Sequence, residues 1–329
     1  MGVSRLAGAR SDVPGATKAG CLLRVRPGRG NTVTHQQGMA DAGRERVGEM
    51  VLGAWDAFLE QAEAVDLERR SRLPGWRAQE ICVHLGLWPE NTAMADLITS
   101  ARAGGTGTPP DVDAVNARVT EAHRDAPREA VLAALRRNRE ATASYLSDEP
   151  TSLDGAPTVS VVGRLPLLSV VLGQAYELAV HGLDLAACGA PPPPPPVLHS
   201  GLAALADVTG ALAAACDITG GASLVTPDGG WAFAADRNGW TVREIAGGDT
   251  TGTAVEGSAE LLLEAASGRV NPVPAVARRR LKVHELGGLL KLAPIVSVAP
   301  GIPGGPILAL AARTIGGAGG VVGRLFGRG

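Results

Sequence analysis

The chain has 329 residues, of which 45% are hydrophobic and 19% charged, with a formal net charge of −2. That balance supports a sizeable core and, as a prior, two domains. It excludes the basic footprint of a nucleic-acid binder, and 3% aromatics exclude base-stacking platforms.

Residues 1–38 are rich in Arg, Gly and small polar residues and have no helical or strand period. They read as a disordered leader, and Met39 is an alternative start to Met1. Met1 is followed by a Gly/Arg-rich stretch without a signal peptide's apolar core, and no run of about 20 apolar residues lacks flanking charges and glycines, so no transmembrane helix is expected. From Asp41 the pattern turns helical: Val47, Met50, Val51, Ala54, Phe58 and Ala62 follow a 3.6-residue period. After Leu73-Pro74-Gly75-Trp76 a second helix starts near Arg77 and runs toward Ala101, kinked or divided at Pro89. A short helix covers 112–122, and Pro127 opens another that reaches about Leu146. A strongly apolar helix, 165–187, completes a set of four main helices, which suggests an antiparallel bundle over 39–190.

Pro191 to Pro196 is an unbroken proline run, so 191–197 reads as a semi-rigid linker. A helix over 198–216 follows. The period then switches to two: strands are expected at 222–226, 230–234, 239–245 and 251–256, separated by Gly-containing turns. Ser258 caps a helix to Ala266, and a last strand near Arg280 to Val283 precedes a helix over 286–292. Residues 198–298 therefore form a small α+β domain, and 299–329 a flexible Gly-rich tail.

Chemistry concentrates on two helices. Glu177 stands in LPLLSVVLGQAYELAVHGLDLA, and His181 follows four residues later. An ionised carboxylate in such surroundings points away from the core or meets something positive, because losing its hydration costs several kcal/mol. Positions i and i+4 share one helix face, so both side chains can converge on one ion. His84, in EICVHLG, is likewise preceded by Glu80 at four residues. His84, Glu177 and His181 make a two-imidazole, one-carboxylate set that suits zinc with one open corner, and ferrous iron equally. Glu80 and Asp184 are candidate supporting carboxylates; Asp184 could accept the N–H of His181. The four cysteines, Cys21, Cys82, Cys188 and Cys216, have no CxxC spacing and read as reduced thiols of a cytoplasmic protein.

RLPGWRAQEICVHLG and YELAVHGLDLA resemble the two signatures of the mycothiol-dependent maleylpyruvate isomerase family, PGW followed by an acid and HL, and E-xxx-H with a nearby acid. The resemblance implies a DinB-like four-helix bundle followed by a small sterol-carrier-like α+β domain. It implies a divalent metal, normally zinc, on His84, Glu177 and His181. Mycothiol, a thiol of actinobacteria, is the implied co-substrate, and the reaction is isomerisation or thiol transfer on a small electrophile. The family's catalytic arginine belongs to the C-terminal half, where Arg237, Arg243 and Arg278 are candidates. The alternative is a non-catalytic, metal-stabilised protein that binds a small molecule or lipid. Nothing in the sequence assigns the oligomeric state, and neither nucleic acid nor membrane insertion is expected.

Overall fold

The computed structural model describes residues 35–109, 111–160 and 162–295. The expected tail, all but the last residues of the expected leader, and Cys21 lie outside them. The chain is mixed helix and sheet. It opens with a two-residue strand β1 (Gln36–Gln37) and a 3-10 turn, Gly38–Ala42. Then come α1 (Arg44–Ala64), α2 (Ala78–Leu85), α3 (Ala93–Arg102), α4 (Val112–Ala122) and α5 (Arg128–Asp148). A hairpin of β2 (Pro157–Ser160) and β3 (Gly163–Pro166) leads into α6 (Leu167–Ala187) and α7 (Pro195–Ala215). The C-terminal part holds β4 (Gly220–Val225), β5 (Gly230–Asp236), β6 (Gly239–Ile245), β7 (Ala254–Glu256), α8 (Ala259–Ala266), α9 (Pro272–Ala277), β8 (Lys282–His284) and α10 (Leu286–Lys291).

Helix α6 is apolar nearly all round because it is packed on several sides. It lies against α1 and α7, while α1 also meets α5, and α2 meets α4, α5 and α6. One sheet, in the order β1-β6-β5-β4-β7-β8, covers the other side of α7, which packs on β5 and β6. A contiguous apolar core runs from Val47 and Phe58 through Leu172 and Leu202 to Trp231 and Leu262.

Two expectations change at this level. Gln36 and Gln37, expected within the leader, pair in parallel with Gly239 and Trp240 of β6. Gly38 follows at φ +58, where an added Cβ would sit 2.0 Å from both Asp207 Oδ1 and Trp240 Nε1, so glycine alone allows this close approach. The proline connection is shorter than 191–197: Pro194 is still extended, at φ −67 and ψ 153, and the helix takes over from there. Pro195 already stands in the first turn of α7, where a missing N–H costs nothing. Gln61 donates to the carbonyls of Pro191 and Gly182, which holds the run against α6. Of the two alternatives for the stretch from Arg77 toward Ala101, kinked or divided at Pro89, the chain takes division: α2 stops before Gly86, and α3 begins at Ala93. α7 is the one described helix long and apolar enough to cross a membrane, and 78% of its apolar window is buried inside the protein.

Candidate metal centre

The loop before α2 sets up the site. Ser71 takes hold of Trp76 through its amide (3.0 Å) and its hydroxyl (2.9 Å), both donating to the Trp76 carbonyl. Gly75 supplies the positive φ of +81 that the tight turn needs. The loop thereby lays the Trp76 ring 5.6 Å from the His84 ring and nearly parallel to the His181 ring, at 14° and 6.5 Å.

Glu80 is used differently from the sequence expectation. Its carboxylate accepts from the Arg77 backbone amide at 2.6 Å and from the Arg77 guanidinium at 2.8 Å. It closes the first turn of α2, where arginine offers no acceptor of its own at the N-cap. Burial alone would raise its pKa; the bonds from Arg77 outweigh that and lower it.

One turn further along α2, His84 comes 5.1 Å, ring to ring, from His181 of α6. Its Nδ1 is buried and has no hydrogen-bond partner. Burial, helped by His181 and Arg269, pushes its pKa down to about 3, so the ring is neutral and keeps a lone pair for a ligand. Glu177 is 49% exposed and points out of the core, which answers how a carboxylate stands in so apolar a helix. Its Oε2 lies 3.6 Å from Nε2 of His181. His84, Glu177 and His181 each bring one donor atom within 4.8 Å of the others, the one such group among the described residues.

Asp184 is fully buried and accepts three charge-assisted bonds. His181 Nδ1 stands at 3.0 Å, Arg72 Nε at 2.7 Å and Arg269 Nη2 at 3.2 Å. Burial opposes its charge, but the interaction with His181, the charge of Arg269 and the bond from Arg72 hold its pKa at about 2. With Asp184 ionised, His181 carries its proton on Nδ1 and turns a bare Nε2 toward Glu177 and His84. Arg72 also reaches Glu264 of α8, so this loop ties α6 to the C-terminal half.

A cavity of about 560 Å³ adjoins the group, and Glu177 and Arg269 belong to its wall. The remaining wall comes from α3, the β2–β3 hairpin, α6, α7 and the end of α8, with Trp55 of α1, Leu85 of α2 and Asn138 of α5. The sequence reading missed Arg269, which sits on the short connection between α8 and α9. Arg237, Arg243 and Arg278 are exposed and line no part of the cavity. Arg72 lies inside the RLPGW segment and was legible as part of that motif, though not as a partner of Asp184. Cys82 is no rival nucleophile: burial pushes its thiol up to about 12.

Residues 49–186 match the family model described as the mycothiol maleylpyruvate isomerase N-terminal domain. Among solved structures, the chain resembles a crystal structure of the mycothiol-dependent maleylpyruvate isomerase, at 17% identity and a TM-score of 0.45, over 71% of this chain and 93% of that one. A histidine-to-alanine mutant of that enzyme is similar at 16% identity and a TM-score of 0.46, with the same coverage. No curated protein matches the chain.

Proposed function

We propose, from the premise that the chain belongs through residues 49–186 to the mycothiol-dependent maleylpyruvate isomerase family, that it is a metal-dependent enzyme using mycothiol. The reaction is isomerisation of an electrophilic substrate, or transfer of the thiol to it. The observation that carries this reading is the convergence of His84, Glu177 and His181 within 4.8 Å beside the cavity.

The donor set fits a divalent ion. Two neutral imidazoles and one carboxylate cancel a single unit of its charge, and a buried Nδ1 on His84 with no hydrogen-bond partner is the kind of orphan such an ion satisfies. We take zinc as the ion; iron in its place would be read directly by metal analysis. Held there, a divalent ion supplies Lewis-acid chemistry and lowers the pKa of a sulfur or oxygen at its open corner. The chain's own residues do the rest. Asp184 keeps the proton of His181 on Nδ1, and Arg72 and Arg269 keep Asp184 ionised. Trp76 stands beside both imidazoles, tilted to His84 and nearly parallel to His181. Arg269 brings positive charge to the cavity wall, where it can receive a substrate anion.

The same reading takes 39–190 as the DinB-like four-helix bundle, supported by the mutual packing of α1, α2, α5 and α6. It takes 198–298 as the sterol-carrier-like domain, supported by the sheet on α7, and it sets the protein in the cytoplasm. A non-catalytic module would need a sealed site with a fourth protein ligand. The exposure of Glu177 into a cavity argues for the enzyme instead.

The test is metal analysis joined to an activity screen. The purified protein should hold about one zinc, and His84→Ala and Glu177→Ala should lose it. Mycothiol with a panel of electrophiles should turn over, and a chelator should stop the reaction. Full metal occupancy in both variants would overturn the ligand assignment, and turnover unaffected by chelator would overturn the metal dependence.

A further inference from the structure

Resting on the metal-and-thiol reading above, we infer that Tyr176 is a specificity-determining residue of that site: its hydroxyl donates a hydrogen bond to the carbonyl oxygen conjugated to the electrophilic carbon. Tyr176 opens the YELAVH segment, immediately before Glu177, and both belong to the cavity wall. The residue is 6% exposed, and its hydroxyl is shut from solvent with no hydrogen-bond partner. Such a group is a cost to the folded chain until an acceptor meets it. Arg269, whose charge acts on the phenol, is in the same position. Its Nη1 donates to the Ser267 carbonyl at 3.3 Å and its Nη2 to Asp184 at 3.2 Å, while Nε is buried and unpartnered. The hydroxyl of Ser267, which also acts on the phenol, donates to the Glu264 carbonyl at 3.2 Å.

Two unpartnered donors in one wall call for an acceptor. A guanidinium has no acceptor atom, and a phenol keeps its proton at neutral pH, so a ligand N–H would leave Arg269 Nε as it is. A ligand oxygen finds both donors already stripped of water, and no hydration of theirs has to be given up to bind it. Ser169, on the same helix about two turns earlier, is a further unpartnered hydroxyl of the wall, but it acts on Asp207 of α7. Thiol addition to an alkene supplies the oxygen that Tyr176 lacks. As the thiolate sulfur bonds to one alkene carbon, the π pair shifts and negative charge develops on the conjugated carbonyl oxygen. A fixed donor in a dry wall stabilises that charge more than it stabilises the ground-state carbonyl. Rotation about the new single bond and expulsion of the thiolate return the pair to the alkene. The phenol keeps its proton throughout, so the step needs no reactant beyond the thiol and the electrophile.

The experiment titrates the purified full chain with benzylacetone, a saturated ketone that offers the carbonyl and no alkene for a thiol to attack. Affinity is read by calorimetry and the stretching frequency of an isotope-labelled carbonyl by infrared difference, with metal content and Tm measured on the same preparations. Wild-type protein should bind the ketone and lower its carbonyl frequency. Tyr176→Phe should bind it roughly ten-fold more weakly and return the frequency toward its value in an apolar solvent. Metal content should hold in the variant, and Tm should hold or rise, because the substitution removes an unsatisfied hydroxyl. With mycothiol and an unsaturated ketone, the variant's loss should fall on kcat more than on KM. Unchanged affinity and frequency in Tyr176→Phe overturn the inference, as does undetectable ketone binding by the wild type. A lower Tm with lost metal overturns it too, by showing a structural role. A frequency shift that survives chelator in the wild type supports Tyr176 as its source; one that vanishes with chelator and persists in Tyr176→Phe assigns it to the ion and overturns the inference. Purified protein without metal that still shows the Tyr176-dependent shift would sink the metal reading and leave this donor standing; metal present with a ketone indifferent to Tyr176 would do the reverse.

Discussion

His181 and Asp184, one turn apart on α6, face each other Nδ1 to Oδ2 at 3.0 Å, with the Asp184 side chain wholly shut from solvent. This contact decides which nitrogen of His181 can serve a ligand. Asparagine in place of Asp184 would offer an N–H as readily as a carbonyl, so the tautomer would no longer be enforced. Asp184→Asn should lower zinc affinity by about 10–100-fold, read by chelator competition. An affinity equal to wild type would show that His181 needs no orienting partner.

Trp76 stands against both imidazoles, at 5.6 and 6.5 Å between ring centroids. Its emission should therefore report occupation of the site. Removing metal from the wild type should change tryptophan fluorescence. Trp76→Phe should abolish that change and leave metal content intact. A metal-dependent signal of the same size in the variant would point to another of the five tryptophans.

The seam between α6 and α7 has no spare room at Gly201, where an added Cβ would lie 2.8 Å from Ala179 Cβ and 3.3 Å from Leu263 Cδ2. Gly201→Ala should cost about 1–3 kcal/mol, as overpacking does. Gly53, exposed on α1 with nothing within 4 Å of an added Cβ, is the control. Gly53→Ala should instead stabilise by about 0.5–1 kcal/mol. Urea unfolding of the two variants checks both signs; equal effects would mean that the helices separate freely.

Asp207, in the middle of α7, is buried without a cation. Its Oδ1 accepts from the Met39 amide at 2.8 Å and from Trp240 Nε1 at 2.7 Å, while Oδ2 has no partner. Burial raises its pKa, and those bonds recover only part of the shift. The unfolded chain, with a carboxyl near pKa ~3.9, therefore releases its proton first as pH rises. This group's contribution to stability falls from about pH 4 upward until the pH passes the raised folded value. Asp207→Asn keeps the acceptor and removes the charge. Its stability relative to wild type should improve between pH 5 and pH 8, measured by denaturant unfolding at each pH. A constant difference across that range would show that Asp207 does not titrate there.

The periodic elements and the donor residues could be read along the chain because both are local matters. The helix over 112–122 and the strand over 239–245 follow from hydrophobic spacing, and the Glu177–His181 pairing from 3.6 residues per turn. The β2–β3 hairpin, too short and too near α6 to show its own period, was not legible, although it walls the cavity. Folding alone decided the rest. Arg72 and Arg269 reach Asp184 across 112 and 85 residues of sequence, and an ion pair between distant residues leaves no pattern in composition or spacing. The use of Glu80 at a helix start and the anchoring of Pro191 by Gln61 of α1 were set in the same way, by what α2 and α6 happen to lie against. Sequence determined which side chains stand on which helix face; tertiary packing determined which of those faces meet, because burial and long-range charge pairing exist only once distant segments are in contact.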